Sequence, residues 1–296
     1  MSVNEIQRRI VVMKKVMIFL VIILVLVSLN INLPCSSSFL SLSFSETDTI
    51  DLPIVMYHSV LKTRQAKYAV SPTQLENDII AYKKLGYTPV TLREVADWVD
   101  GSGVLPEKPM VITFDDGHYN NLHYALPILK KHNCKAVINV VTSFSKFSSD
   151  TLGEDNKPAY SYLTWDNLRE LYESGLIEIG NHTHQMHQFK PRYGIAKVST
   201  ETIDEYCENL KTDIERANEL ITAASVPRPI TFAYPFGKYT KEGRQVLDEL
   251  GFRALLTCTE GTSQIKRGDP ESIKTLKRYN RSGNTTTEAF VKKVFG

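Results

Sequence analysis

The sequence from residue 110 to 117 is Met110-Val111-Ile112-Thr113-Phe114-Asp115-Asp116-Gly117. A short apolar run that ends at a turn residue is typical of a buried strand. The two adjacent carboxylates at its end point in different directions, and Gly117 allows the backbone to turn sharply after them. The segment therefore predicts a buried strand with an acidic pair at its carboxyl end, although Asp-Asp-Gly is also a common plain turn.

Five further apolar runs of the same kind are spread along the chain. They cover residues 54–58, 136–141, 177–180, 230–234 and 253–257. Helix-like segments lie between them, and this alternation favours a parallel sheet with both faces covered. We expect a distorted (β/α) barrel of about seven parallel strands, with a doubly wound open sheet as the alternative.

Helix boundaries are readable at several places between these runs. Ser71 before Pro72 is an N-cap followed by proline at the first helical position, and Gly86 ends that helix. Thr164 caps a second helix that Gly175 closes. The remaining predicted helices cover residues 119–132, 201–222 and 241–250. In either fold, the reactive site lies at the carboxyl ends of the strands.

The composition bounds the function. The chain has 296 residues, of which 42% are hydrophobic and 23% charged, as is ordinary for a globular protein. With 35 basic and 33 acidic residues, the near-balance gives no support for a nucleic-acid partner. The four cysteines form no CxxC pair, which argues against a thiolate zinc site.

The N-terminus resembles a targeting element. Arg8, Arg9, Lys14 and Lys15 precede an apolar run at 16–29, and small residues follow at 36–38. We expect residues 1–33 to be a signal peptide or membrane anchor and 34–50 a linker. The catalytic domain is expected at 51–296, outside the cytoplasmic membrane because the basic flank stays inside.

Histidines are concentrated directly after the run at 177–180. Residues 181–187 read Asn181-His182-Thr183-His184-Gln185-Met186-His187, which holds three of the seven histidines. Imidazole nitrogens suit Zn²⁺, and a catalytic zinc site needs three protein ligands and one open position. Two histidines and one aspartate would meet that need, whereas a basic, solvated loop is the alternative.

Two other strand ends carry candidate residues. His58 ends the run at 54–58, and a histidine there can donate a proton to a leaving group near neutral pH. Tyr234-Pro235-Phe236-Gly237 ends the run at 230–234, and its backbone N–H groups can face a developing oxyanion. A structural histidine and an ordinary aromatic turn are the alternatives.

Together, these four segments resemble the polysaccharide deacetylase family, also called carbohydrate esterase family 4. The resemblance covers roughly residues 52–260 and implies that Asp115 is the general base and Asp116 a metal ligand. The usual second motif places its second histidine four residues after the first, where Met186 stands here. The spacing matches the poly-N-acetylglucosamine deacetylase branch, which implies His182 and His187 as the other ligands.

Two departures from the common family pattern concern the remaining catalytic groups. Ala233 stands where an arginine usually contacts the base, and no histidine follows Gly251 to supply the late catalytic acid. In the poly-N-acetylglucosamine branch the acid comes from an early Tyr-His segment, so the resemblance implies His58. What replaces the arginine stays open.

The resemblance implies a hydrolase that uses a divalent metal, Zn²⁺ by expectation, to remove N-acetyl groups from an N-acetylglucosamine polymer. A backbone N–H near Phe236 would stabilise the oxyanion, and Tyr234 would contact substrate. We expect a monomer that reaches the membrane through its N-terminal segment. The alternatives are an inert glycan-binding module and an esterase or amidase acting on another acetylated substrate.

Overall fold

A computed structural model of the protein describes residues 48–63, 65–152 and 155–296. The strands of this structure are formed largely by the apolar runs of the sequence. The strands are β1 (Thr49–Leu52), β2 (Ile54–Tyr57), β3 (Ser59–Val60), β4 (Ala69–Val70), β5 (Thr88–Pro89), β6 (Pro109–Phe114), β7 (Ala136–Val140), β8 (Ile177–Asn181), β9 (Thr231–Ala233), β10 (Ala254–Leu256), β11 (Ser263–Lys266) and β12 (Tyr279–Asn280). The helices are α1 (Pro72–Lys84), α2 (Leu92–Val99), α3 (Leu126–His132), α4 (Thr142–Thr151), α5 (Trp165–Glu173), α6 (Ile203–Ala223), α7 (Lys241–Glu249) and α8 (Thr287–Phe295).

Seven of these strands form one parallel sheet in the order β10-β9-β8-β7-β6-β2-β12, and β5 pairs with the start of β6. The two ends of this order meet through a parallel bridge between Leu256 of β10 and Leu276, three residues before β12. The predicted distorted (β/α) barrel of about seven parallel strands is therefore confirmed.

Strand β6 shows why the sequence folds in this way. All six of its residues are buried, as expected for a parallel strand that is covered on both faces. Alternate side chains face inward, where Val111 packs with Val137 and with helix α2. The side chains between them, Ile112 and Phe114, pack outward in the cluster that includes residues of α1, α3, α5 and α8. Helix α2 was not predicted, and its apolar side chains pack against inward-facing residues of the barrel strands.

The predicted helix starts agree with the structure at two places. The Ser71 and Thr164 side chains accept hydrogen bonds from the third residues of α1 and α5, as N-caps do. The predicted helix at 119–132 differs, because it opens with a π turn at Asn121–Ala125 before α3. Pro127 has no N–H to donate within a regular α-helix, which accounts for the irregular turn.

The described residues belong to one compact unit. Among them, no helix has both the length and the apolar character that crossing a bilayer requires. The predicted signal or anchor at 1–33 and most of the predicted linker at 34–50 lie outside the described residues.

Candidate active site

A cavity of about 580 Å³ opens where the strands end. It is lined by every residue that the sequence marked as a candidate: His58, Asp115, Asp116, His182, His187, Tyr234 and Phe236. These residues follow or end β2, β6, β8 and β9, so the convergence results from the parallel order of the strands. A second cavity, of about 500 Å³ and lined by Thr91, Lys135 and Glu178, holds none of them.

Three side chains form a potential metal site. One ligand atom each from Asp116, His182 and His187 lies within 4.8 Å of the others. The Asp116 Oδ1 atom is 3.3 Å from His187 Nε2 and 3.6 Å from His182 Nε2. The Nδ1 atom of His182 lies 2.7 Å from the backbone oxygen of Ala233, to which it donates in the Nδ1–H tautomer. That bond leaves the Nε2 lone pair directed at the site, as in many metal-binding histidines.

The electrostatics of this site favour neutral imidazole beside ionised carboxylate. Burial lowers the pKa of His182 to about 4, although Asp115 and Asp116 act in the opposite direction. Burial would raise the pKa of Asp116, but contacts with His118 and His187 hold it well below its usual value. A deprotonated carboxylate and neutral imidazoles are the forms that bind metal ions.

The backbone around the acidic pair adopts an uncommon conformation. Asp116 has a φ of 74°, in the left-handed region that side chains other than glycine seldom adopt, and Gly117 follows with a φ of 71°. Such conformations cluster at functional sites because the surrounding fold must hold them in place. This turn separates the directions of the two carboxylates, so that Asp116 faces the histidines and Asp115 faces the barrel interior.

Asp115 is almost fully buried and held by three charged or polar contacts. Its Oδ2 atom lies 2.8 Å from Arg278 Nη2. Its Oδ1 atom accepts hydrogen bonds from Arg278 Nη1 and from Asn139 Nδ2, each at 2.8 Å. Burial would raise the pKa of Asp115, but Arg278 lowers it to about 2, so the carboxylate is ionised at neutral pH.

Arg278 is one residue of the site that sequence reasoning missed. It is completely buried and also donates to the backbone oxygen of Thr257 at 2.9 Å. Arg278 immediately precedes β12, and the pairing of β12 with β2 brings it inside the barrel. Its guanidinium contacts Asp115 from the start of β12, whereas the family arginine was expected at Ala233, in β9. A single arginine in a polar stretch carries no local signal of burial.

His58 lines the same cavity as the potential metal ligands. Its ring is 4.7 Å from the ring of Tyr68, and its buried Nδ1 atom has no hydrogen-bond partner among the described residues. Burial lowers the pKa of His58, while Asp116 and Asp115 act in the opposite direction. His58 thus shares a cavity with two carboxylates and has a buried, unpaired Nδ1 atom, and an imidazole so placed can take part in proton transfer.

Another histidine that the sequence reasoning did not select also lines the cavity. The Nε2 atom of His118 is 3.5 Å from Asp116 Oδ2, on the carboxylate oxygen that does not face His182 and His187. Its ring stacks on Tyr162 with centroids 5.1 Å apart. His184, in contrast, is not part of the cavity lining, and its Nδ1 atom lies 2.9 Å from Thr142 Oγ1.

The two aromatic residues after β9, Tyr234 and Phe236, differ in burial and in their contacts. Tyr234 is fully buried, stacks on Tyr239 and has a hydroxyl without a hydrogen-bond partner among the described residues. Phe236 has a φ of 56° and packs its ring 4.7 Å from that of His187. The side chain of Phe236 thus contacts one of the potential metal ligands.

Comparison with known proteins gives consistent results. The profile of the polysaccharide deacetylase family matches residues 102–255, just over half of the chain. A poly-beta-1,6-N-acetyl-D-glucosamine N-deacetylase from Escherichia coli (strain K12) is 26% identical over 223 residues, covering 68% of this chain and 32% of that protein. The protein of the same description from Staphylococcus aureus (strain MRSA252) is 27% identical over 188 residues, covering 63% of this chain and 60% of that protein.

The fold itself has solved relatives. A de-N-acetylase from Aggregatibacter actinomycetemcomitans superposes with a TM-score of 0.71 at 23% identity, covering 83% of this chain and 100% of that chain. The matched segment covers less than two thirds of the length of both the E. coli and the S. aureus relatives.

Proposed function

Because the chain belongs to the polysaccharide deacetylase family, we propose that it hydrolyses the N-acetyl groups of a poly-N-acetylglucosamine polymer with a divalent metal. The observation that carries this proposal is the meeting of Asp115 and His58 with a three-ligand site in one cavity. Amide hydrolysis needs a base, an acid and an electrophile, and this cavity provides residues for each.

The residues present fit a metal ion. One carboxylate and two imidazoles are a donor set that catalytic zinc sites use, so Zn²⁺ is the proposed ion. The hydrogen bond from His182 to Ala233 fixes the ring with Nε2 toward the site. A divalent ion bound there would polarise the acetyl carbonyl and lower the pKa of a water molecule.

Asp115 is proposed to accept a proton from the attacking water. Its buried carboxylate is ionised, and Arg278 and Asn139 hold both oxygens in fixed positions. Fixed geometry reduces the reorganisation that the reaction requires. In this reading, Arg278 takes the place of the family arginine that is absent at Ala233.

His58 is proposed to donate a proton to the departing amine. It lies at the end of β2, lines the same cavity as Asp115, and keeps one ring nitrogen unpaired. The backbone N–H of Phe236 is proposed to stabilise the oxyanion. Tyr234 is proposed to line the cavity next to the bound substrate. The products are free acetate and a glucosamine unit.

The proposal of the substrate is based on the relatives that contain a similar segment. The E. coli and S. aureus relatives are poly-beta-1,6-N-acetyl-D-glucosamine N-deacetylases. The basic and apolar N-terminal sequence supports a location outside the cytoplasmic membrane, where such a polymer would be found.

The test is acetate release by the purified chain. We expect release from N-acetylglucosamine oligomers with β-1,6 linkages, loss of release after chelation, and recovery after addition of Zn²⁺. The His182→Ala variant should lose bound metal, as measured by elemental analysis. Hydrolysis of acetyl esters of xylan without any release from N-acetylated sugars would instead show an esterase.

A further inference from the structure

Three aromatic rings form a surface at the mouth of the catalytic cavity. We call Phe189, Tyr193 and Phe236 the aromatic shelf. Phe189 stacks on Phe236 with centroids 4.4 Å apart and planes 25° apart, and Tyr193 stacks on Phe236 at 4.9 Å and 22°. All three rings line the same cavity as the potential metal ligand His187.

Two of these rings are turned toward solvent. Phe189 is 67% exposed and Tyr193 is 41% exposed, whereas Phe236 is half-buried beneath them. Large apolar side chains that gather on a surface mark a place where another molecule binds. Neither exposed ring belongs to the buried clusters that stabilise the fold.

The loop that carries the two exposed rings is firmly held. Gly194 has a φ of 59°, and a side chain there would place its Cβ 2.6 Å from the backbone oxygen of Pro235. The Gly194 N–H donates to Gln188 at 3.0 Å, while the buried Arg192 donates to Ala196 and pairs with Glu201. The rings are thus presented in fixed orientations, which reduces the entropy lost when a ligand binds them.

The position of the shelf indicates its ligand. Within the shelf, the Phe236 ring lies 4.7 Å from the ring of His187, measured between centroids. The shelf is therefore next to the proposed position of the reacting acetamide. A hexosamine ring has an apolar C–H face that suits an aromatic surface, and polar edges that remain hydrated. A polymer held at one unit must extend its neighbouring units out of the cavity.

We propose that Phe189 and Tyr193 bind the sugar unit next to the one being deacetylated. This inference rests on the proposed function and narrows the substrate to at least two linked hexosamine units. The shelf makes the affinity for hexosamine oligomers depend on their chain length. The residues deeper in the cavity act on the unit that is deacetylated.

The experiment compares Phe189→Ala/Tyr193→Ala with the wild type, both metal-loaded. For β-1,6-linked oligomers of two or more units, kcat/KM is expected to fall about 5- to 100-fold, carried mainly by KM. For the N-acetylglucosamine monomer, kcat/KM is expected to stay unchanged. The matched control is Phe147→Ala, because Phe147 is 62% exposed but does not line the cavity.

Binding without turnover separates this inference from the proposed function. In a metal-loaded Asp115→Asn background, calorimetry should show that the two shelf substitutions weaken binding of the oligomer by a similar factor. An equal loss for monomer and oligomer, or no loss in either measurement, would overturn the inference. So would a loss of binding to phosphatidylglycerol vesicles with unchanged oligomer kinetics, because the rings would then contact lipid.

Discussion

Asp115 and Glu178 are both buried carboxylates inside the barrel, yet their surroundings shift their pKa values in opposite directions. Asp115 is 2% exposed and faces the arginine Arg278, which lowers its pKa. Glu178 is 8% exposed, and burial raises its pKa because its main partners are neutral. Burial alone therefore does not decide whether a carboxylate in this barrel is charged.

The partners explain the difference. Glu178 accepts a hydrogen bond from the Thr231 hydroxyl at 2.6 Å and one from the backbone N–H of Arg93 at 2.8 Å. Arg93 lies in the first turn of α2, the helix whose apolar side chains pack against inward-facing residues of the barrel strands. A helix N-terminus offers only a partial positive charge, whereas a guanidinium offers a full one in a bidentate geometry.

The two carboxylates also lie toward opposite ends of the barrel strands, because Glu178 is near the start of β8 and Asp115 follows the end of β6. Toward the amino end, both oxygens of Glu178 accept hydrogen bonds. At the carboxyl end, His58 keeps an unpaired nitrogen and Asp116 adopts a left-handed backbone conformation. Local features of this kind persist only where the rest of the fold holds them, and here they occur at the end that carries the proposed site.

The largest expected effect tests whether the two carboxylates differ in function. Asp115→Asn should lower kcat about 100- to 10,000-fold, because it removes the proton acceptor while preserving the shape of the side chain. Glu178→Gln is the matched control and should leave kcat within about twofold, because Glu178 lines the other cavity. Steady-state acetate release and metal content of both variants are the measurements.

A different outcome would reverse the assignment. If Asp115→Asn keeps more than about a tenth of wild-type turnover with full metal content, Asp115 is not the base. The charge of the Asp115–Arg278 pair would then serve the fold alone.

The second expected effect concerns Arg278 and the stability of the fold. Arg278→Ala leaves Asp115 buried without its cation, which should lower the free energy of unfolding by about 3–5 kcal/mol. Arg278→Lys keeps the charge but loses the planar fork, so its loss should be smaller. Urea unfolding of the metal-loaded proteins, with the midpoint and slope fitted together, measures both.

A surface arginine provides the control for this effect. Arg253 pairs with Asp97 and Asp100 at 2.8 and 2.6 Å, but its side chain is partly solvated. Arg253→Ala should therefore cost no more than about 1 kcal/mol. Equal losses for Arg253→Ala and Arg278→Ala would mean that the buried pair adds nothing beyond an ordinary surface contact.

Much of the fold and of the candidate site could be predicted from the sequence, because the informative residues directly follow apolar runs. The acidic pair after β6 and the histidines after β8 were found in this way, and the parallel order of strands explains why they meet. The barrel was predicted for the same reason, since strands β2, β6 and β7 are predominantly apolar and are buried throughout.

Arg278 and Glu178 could not be found in this way. Arg278 meets Asp115 across 163 positions of the chain and stands beside β12, a strand of only two residues. Glu178 lies within an apolar run, where its charge gives no indication of which partners cover it. Both depend on strand register inside the barrel, which a local pattern does not encode.

The smallest expected effect is on the pH dependence of stability at Glu178. A carboxyl whose pKa is raised in the folded state binds its proton more tightly when folded. Its contribution to stability is present below the pKa of the unfolded chain and is lost as the pH rises through the folded pKa. Glu178→Gln resembles the protonated form and lacks this loss, since the Thr231 hydroxyl can accept from the new amide.

The stability of Glu178→Gln relative to wild type should therefore increase between pH 4.5 and neutral pH, by about 1.4 kcal/mol for each unit of pKa shift. Glu94 provides a control of opposite sign, because hydrogen bonds from Lys135 and Thr91 outweigh burial and lower its pKa. Glu94→Gln should lose stability relative to wild type as the pH rises from the lowered folded-state pKa of Glu94 to about 4.5, below the range in which Glu178 acts, with a small amplitude because the side chain is partly exposed. If both variants change in the same direction, the partners named here do not control the charge of these carboxylates, and the contrast between Asp115 and Glu178 needs another cause.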